Sequence, residues 1–305
     1  MVKLQRRSAG LGKIVAMAQP QRRLHPLEGI VAVGALFFVI ALTVGFAQAG
    51  EIARKVALRS SSALVLDAES GEVVYNKNSE AVVPIASITK LLTAMVILDA
   101  GLDLEAREVL SREDRDRLKG TKSRLRQGVV LTRDELLLLA LMASENQAAA
   151  ALGRTFPGGM GVFVAAMNEK AAMLEMMDSR FVDPTGLSKG NVSSARDLAK
   201  LVKAAHGYAL IREYSTRNRA SFHVYKRQMT FVNTNNLVRN RHWDIDLSKT
   251  GYISEAGRCL VMHVRLASKD LIVVLLDSWG RHSRVGDANR IKRWVESHAA
   301  AGRSS

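Results

Sequence analysis

With a single cysteine in 305 residues, the chain can form no intramolecular disulfide, so packing has to hold its fold. That residue, Cys259, stands in the apolar run Cys259-Leu260-Val261-Met262, where an inert buried thiol is expected and not a nucleophile. The seven histidines are scattered and no His-Glu-x-x-His occurs, which argues against a metallopeptidase. Each histidine is expected to be a surface or packing residue, with no metal ligand set and no cofactor. No Gly-x-Ser-x-Gly elbow marks a Ser-His-Asp hydrolase. Repeats and low-complexity tracts are also missing, and the 48% hydrophobic content suffices for one large domain or two modest ones.

Acidic residues are outnumbered by Lys and Arg, 29 to 44, for a net charge of +15. Part of the excess lies in a leader. Lys3, Arg6, Arg7, Lys13, Arg22 and Arg23 precede the apolar stretch Gly29 to Phe46, and Ala47-Gln48-Ala49 closes that stretch with small residues at alternate positions. This is the pattern of a secretory signal cleaved after Ala49, leaving a body over 50–305. The apolar run also approaches the length of a membrane span, so an uncleaved anchor is the alternative and would be the protein's membrane contact. Met17 is a second candidate start. Without residues 1–49, Lys+Arg falls to 38 and Asp+Glu to 28, leaving +10. In an exported protein this excess favours an anionic polymer such as the cell wall over nucleic acid, a generally solvated cationic surface being the other reading.

Two β-prone runs, Ala63 to Asp67 and Glu72 to Asn76, read as a hairpin around Ala68-Glu69-Ser70-Gly71. A buried helix follows from Ile88 to Leu98 and ends at Gly101. The polar stretch 103–131 is expected to be exposed and to border a cleft. Thr132-Arg133-Asp134-Glu135 and Ser194-Ala195-Arg196-Asp197 have capping-box spacing and predict helices over 134–143 and 195–205, the second stopped by Gly207. Further helices are predicted over 148–155 and 161–176, with the turn-rich loop Asp183-Pro184-Thr185-Gly186-Leu187-Ser188 after them. Beyond residue 220 the pattern changes to strands, at 221–225, 229–232, 249–253, 259–267 and 271–277, before a helix over 288–298 that buries Ile291, Trp294 and Val295. Strands at both ends and helices between them predict an α+β fold, one antiparallel sheet flanked by helices with a helical insertion.

Chemistry concentrates in three short stretches. In Ser87-Ile88-Thr89-Lys90 a hydroxyl and an amine three residues apart share a helical face, the arrangement of a nucleophile beside its base. The lysine acts as a base only if burial or a second cation holds it neutral. Backbone N–H groups at the helix start can meet a developing oxyanion. Ser144-Glu145-Asn146 is a polar break between two apolar helices, and Lys249-Thr250-Gly251 lies in a strand.

This ordered trio occurs in class A β-lactamases and penicillin-binding proteins. From about Ser60 to the C-terminal helix the chain resembles the low-molecular-mass penicillin-binding proteins, the serine D-alanyl-D-alanine peptidases. Asp183 to Ser188 and Asn233-Thr234-Asn235-Asn236-Leu237-Val238 share in the resemblance. The segments Ser123-Arg124-Leu125-Arg126, Ser144 to Ala149 and Lys249 to Ile253 look most like the penicillin-binding protein 7 subgroup of D-alanyl-D-alanine endopeptidases. The resemblance implies the serine β-lactamase/penicillin-binding-protein-like transpeptidase fold and a periplasmic enzyme of cell wall remodelling. Its substrates would be peptidoglycan stem peptides and its covalent inhibitors β-lactam antibiotics. It implies that Ser87 forms an acyl-enzyme and that Lys90 takes its proton. Ser144 would relay a proton to the departing amine, Asn146 would bond the substrate amide and Lys90, and Lys249 would supply positive charge. The oxyanion hole would be the N–H groups of Ser87 and Tyr252, with Gly251 on the strand that pairs with substrate. Thr250 and Arg281 are candidates for a substrate carboxylate, Arg281 being equally a solvated loop residue. The endopeptidase would cleave D-alanyl-diaminopimelyl cross-links, and the alternative is a carboxypeptidase trimming pentapeptides. A β-lactamase's Glu-x-x-Leu-Asn is missing from the Asp183 to Ser188 loop, so slow deacylation is expected.

Overall fold

The computed structural model describes residues 56–224 and 227–301; the leader, and the end of the strand expected at Tyr225, lie outside the described residues. Five strands form the main antiparallel sheet: β1 (Ser60–Asp67), β2 (Val73–Lys77), β9 (Asp244–Ile253), β10 (Gly257–Leu266) and β11 (Lys269–Ser278), in the order β2-β1-β11-β10-β9. Chain ends meet where β1 pairs β11, Ser62 opposite Leu276 and Leu66 opposite Ile272. The long apolar runs of β10 and β11 are buried because helices cover both faces of the sheet, which suits a continuous rather than an alternating pattern.

Helices fill the middle of the chain: α1 (Lys90–Asp99), α2 (Arg133–Met142), α3 (Asn146–Arg154), α4 (Gly159–Met173), α5 (Ala195–His206), α6 (Ala209–Thr216) and, after the last strand, α7 (Ser283–Ala301). On one face α7 buries Ala288, Ile291 and Val295 against Leu260, Met262, Val273 and Leu275, while Trp294 is only half-buried. Asp287 fastens α7 to the start of β1, accepting from Ser60 N at 2.7 Å and Ser60 Oγ at 2.6 Å. The other face carries α5 and the helical layer, whose core runs from Ile88 and Leu91 through Leu136, Leu139 and Leu152 to Phe163 and Leu198. α1 lies in the middle of this layer, with seven consecutive residues after Lys90 buried, so its sequence shows no amphipathic stripe.

The capping box at Thr132 is complete: Thr132 Oγ1 accepts from Glu135 N and the Glu135 carboxylate accepts from Thr132 N. At Ser194 only half forms. Ser194 Oγ accepts from Asp197 N, but the Asp197 carboxylate turns to Asp178 N and Ser179 Oγ and ties the preceding loop to α5. The predicted stop at Gly207 ends α5, and after an extended Tyr208 the chain turns back into α6, a helix the residue pattern did not predict. Residues 219–232 give a separate hairpin, β7 (Arg219–Val224) with β8 (Arg227–Val232), and two short pairs complete the strands: β3 (Val83–Pro84) with β6 (Val192–Ser193), and β4 (Arg107–Val109) with β5 (Val130–Thr132). Among the described residues no helix is long and apolar enough to cross a membrane.

Candidate active site

Ser87 does not sit in α1 itself. It lies in a 3-10 turn, Ala86–Thr89, that runs straight into α1 at Lys90. Side chains three apart eclipse in a 3-10 helix, so the Ser-x-x-Lys spacing aligns the two groups more directly than an α-turn would. Lys90 Nζ is 2.8 Å from Ser87 Oγ, 2.8 Å from Asn146 Oδ1 and 2.5 Å from Thr185 O, and the lysine side chain is fully buried.

These three partners decide what Lys90 can do. The carbonyl oxygens of Asn146 and Thr185 only accept, and the Asn146 orientation follows from its Nδ2, which donates to Thr121 Oγ1 at 3.1 Å. An ammonium would donate to all three. A neutral amine donates two bonds and carries one lone pair, and only the Ser87 hydroxyl can donate to that lone pair. Deprotonated Lys90 is therefore aimed at the Ser87 proton. Burial pushes its pKa down to about 7, against the opposing pull of the Asp183 and Glu145 carboxylates.

Each carbonyl has its own support. Asp183 gathers the loop around it: its carboxylate accepts from Thr185 N (2.7 Å), Thr185 Oγ1 (2.5 Å), Gly186 N (2.8 Å) and Ser188 N (3.1 Å), which fixes the Thr185 carbonyl. Asn191, not flagged in the sequence, closes the loop's far side by accepting from Val182 N and donating to Asp183 O and Thr89 Oγ1. Asn146 is the first residue of α3, capped by the Glu145 side chain, which accepts from Gln147 N.

The third stretch enters from β9, the edge strand of the sheet. Lys249 Nζ, also buried, donates to Ser144 Oγ at 2.8 Å and to Thr250 O at 3.0 Å. Its pKa is pushed well below the usual lysine value by burial, then by the nearby Lys90 and Arg284. Thr250 Oγ1 lies 2.7 Å from Thr234 Oγ1, and Asn235 Nδ2 donates to Ser248 Oγ, so the Asn-rich loop braces β9 from the side. At Gly251 an added Cβ would come within 2.8 Å of Ile85 O and 3.2 Å of Ser87 N, which places this strand against the backbone at Ser87. As an edge strand, β9 presents one row of N–H and C=O groups for an extended chain to pair with.

Tyr252 is exposed, with the Arg258 guanidinium 4.6 Å over its ring. With Trp279 and Arg281 these two line a cavity of about 210 Å³ at the end of β9. Arg281 is itself exposed. The guanidinium that reaches inward is Arg284, the second residue of α7, which donates to Gly251 O at 3.0 Å and Cys259 O at 3.3 Å. Burial and Arg258 lower its pKa to about 10. On the other side of Asn146, the segment expected to border a cleft does so: Arg115, Lys122, Arg126 and Gln147 line a cavity of about 750 Å³. Cys259 is buried, its thiol donating to Ala256 O and its pKa raised to about 11 by burial, as befits an inert residue.

The antiparallel sheet with its helical layer, and a serine paired to a buried lysine where the two meet, match the transpeptidase fold of penicillin-binding proteins. A DD-transpeptidase of Streptomyces superposes with a TM-score of 0.72 at 25% identity, covering 78% of this chain and 97% of that one. A D-alanyl-D-alanine carboxypeptidase of Mycobacterium tuberculosis does so with a TM-score of 0.71 at 25% identity, covering 79% of this chain and 92% of that one. The chain belongs to the D-alanyl-D-alanine carboxypeptidase family of serine peptidases, whose family model matches residues 49–280. It is 46% identical over 241 residues to a D-alanyl-D-alanine endopeptidase of Pseudomonas aeruginosa, and 44% identical over 241 residues to one of Escherichia coli, with 78% of each chain covered in both cases.

Gly186 tests how tightly the site is packed. Its φ is +77°, and a Cβ there would overlap Ala86 O beside Ser87. Gly186→Ala is expected to cost about 1–3 kcal/mol from strain and overpacking. By displacing Ser87 it should also slow acylation by about 100-fold. Thermal melts and the rate of labelling by a fluorescent penicillin measure the two effects.

Proposed function

We propose that the protein is a periplasmic D-alanyl-D-alanine endopeptidase that opens peptidoglycan cross-links through an acyl-enzyme on Ser87. The observation that carries this reading is the Lys90 amine, whose only reversible hydrogen bond is with Ser87 Oγ. Ser87 Oγ attacks the D-alanyl carbonyl carbon as its proton passes to Lys90 Nζ. The carbonyl oxygen gains the negative charge beneath the N–H groups of Ser87 and Tyr252. The tetrahedral adduct collapses by breaking the C–N bond, and Ser144, bonded to Lys249, passes a proton to the departing amine. Asn146 holds Lys90 and meets the substrate amide, and β9 pairs with the substrate backbone from Gly251 onward. Water then cleaves the ester, with Lys90 again taking a proton.

The choice of bond rests on the relatives. Those 44–46% identical carry the name endopeptidase, while others such as a Bacillus subtilis carboxypeptidase match at 31%. A basic body suits an anionic wall, and Thr250, Arg281 and the inward-facing Arg284 offer positive or hydroxyl groups to a substrate carboxylate near the scissile bond. Residues 1–49 act as an export signal and 50–305 as the catalytic domain.

Penicillin should label Ser87 and remain attached, and Ser87→Ala should carry no adduct in intact-mass measurements. Labelling requires neutral Lys90. The rate should therefore fall about tenfold per pH unit below pH 7 and level off above it. Lys90→Arg, which keeps the charge but cannot deprotonate, should lose about 100-fold or more and show no such profile.

Digestion of purified wall fragments should convert cross-linked dimers to monomers at D-alanyl-diaminopimelyl bonds. Release of D-alanine from pentapeptides with dimers left intact would instead identify a carboxypeptidase.

Terminal sequencing of protein taken from its native envelope should read Gly50 first. A membrane-integral form retaining residues 29–46 would identify the segment as an anchor.

A further inference from the structure

The histidines that lie far apart in sequence do not all stay apart in the fold. His206, the last residue of α5, and His263, on β10 opposite Leu247, stack with ring centroids 3.7 Å apart and planes 15° from parallel. Both face one carboxylate oxygen: His206 Nε2 is 3.8 Å and His263 Nδ1 3.6 Å from Asp246 Oδ2, on β9. Those distances are too long for hydrogen bonds, and both nitrogens are buried without a partner. His263 is 6% exposed, so its Nδ1 bears the cost of an unsatisfied group in full.

We propose that His206 Nε2, His263 Nδ1 and Asp246 Oδ2 form a binding site for a divalent transition cation of the zinc type. The three donor atoms lie within 4.8 Å of one another. A point equidistant from them is then at most about 2.4 Å from each, which a small contraction brings to zinc–ligand lengths of about 2.0–2.2 Å. Two imidazoles and a carboxylate are ligands of the borderline kind that zinc takes. The stacked rings hold their in-plane lone pairs side by side, so binding needs one ring to turn. His206, half-exposed at a helix end and unbonded at its ring Nε2, is the one free to do so. Asp246 is open on its outer side, which gives the ion an entry path and room for water as a fourth ligand.

The bound ion would join the end of α5 to β9 and β10 just before Lys249, outside the serine–lysine chemistry. The test uses the purified chain stripped with EDTA, titrated with Zn²⁺ by calorimetry and, separately, with Co²⁺ read by visible absorption. One ion per chain, a raised Tm and the absorption bands of a tetrahedral cobalt site are expected. Loss of an outer partner of a metal ligand already costs 10–100-fold in affinity, so His206→Ala, which removes a ligand, should lose more than about 100-fold. Asp246→Asn provides a second variant should His206→Ala melt markedly lower without metal. Absence of saturable binding, or equal binding by the variants, would overturn the assignment and leave the stacked pair as packing.

Discussion

A lysine amine taken wholly out of water is the constraint on which the rest of this molecule depends. Burial of an ammonium is costly unless its donors are met, and Lys90 meets them with oxygens from three separate pieces of chain: the 3-10 turn, the start of α3 and the 183–188 loop. None of these pieces can shift by an ångström without leaving a buried donor unpaired. The loop is for this reason as firmly built as a helix, with the Asp183 carboxylate and the Asn191 amide consuming its free backbone groups. Desolvation that threatens stability is the same desolvation that lowers the pKa, so the base and the cost of holding it have one origin.

Two of the strained backbone positions lie at the same place. Ala86 and Ser144 are non-glycine residues in the left-handed region, at φ 48° and 58°. Each costs of order 1–3 kcal/mol and persists only where its surroundings over-determine it. Ala86 is wedged between Gly186 and Gly251, two positions where no side chain fits, and Ser144 is held by Lys249. The two strained residues set the directions of the two serines. The turn at Ala86 presents Ser87 to the cleft, and the break at Ser144 lets α2 end and α3 begin with Asn146 pointing at Lys90.

What could be read from residues alone was what is local. The Thr132 capping box, the β1–β2 hairpin and the apolar runs of β10 and β11 lie within a few residues, and the structure has them where the spacing put them. The serine–lysine, Ser-x-Asn and Lys-Thr-Gly stretches were legible because each carries its chemistry in three or four residues. Where a contact depended on distant chain the reading failed. Ser194 and Asp197 looked like a capping box, but Asp197 found better donors at Asp178 and Ser179. α6 follows a glycine that reads as a stop, yet it is held by burial of Ile211 and Tyr214 against the helical layer. Arg281 and Arg284 flank a helix start, and only the direction of that helix shows that Arg284 turns inward. The same limit hid the pairing of His206 with His263, 57 positions apart by sequence number and stacked in the fold.

The two buried lysines also set an order on the proposed proton transfers. Lys249 is held below the usual lysine pKa in part by Lys90, so charging either one discourages charge on the other. When Lys90 takes the Ser87 proton, the site has every electrostatic reason to expel a proton elsewhere, and Lys249 is bonded to Ser144, the hydroxyl proposed to serve the departing amine. The Ser87 proton that enters at Lys90 is matched by one that Ser144 gives to the leaving amine and regains from Lys249, so the lysine pair carries as many protons after acylation as before. A pair with ordinary pKa values would keep both charges and stall. On this account the buried Arg284 has a double role: it holds the Gly251 and Cys259 carbonyls that shape β9, and by its charge it adds to the pressure on Lys249.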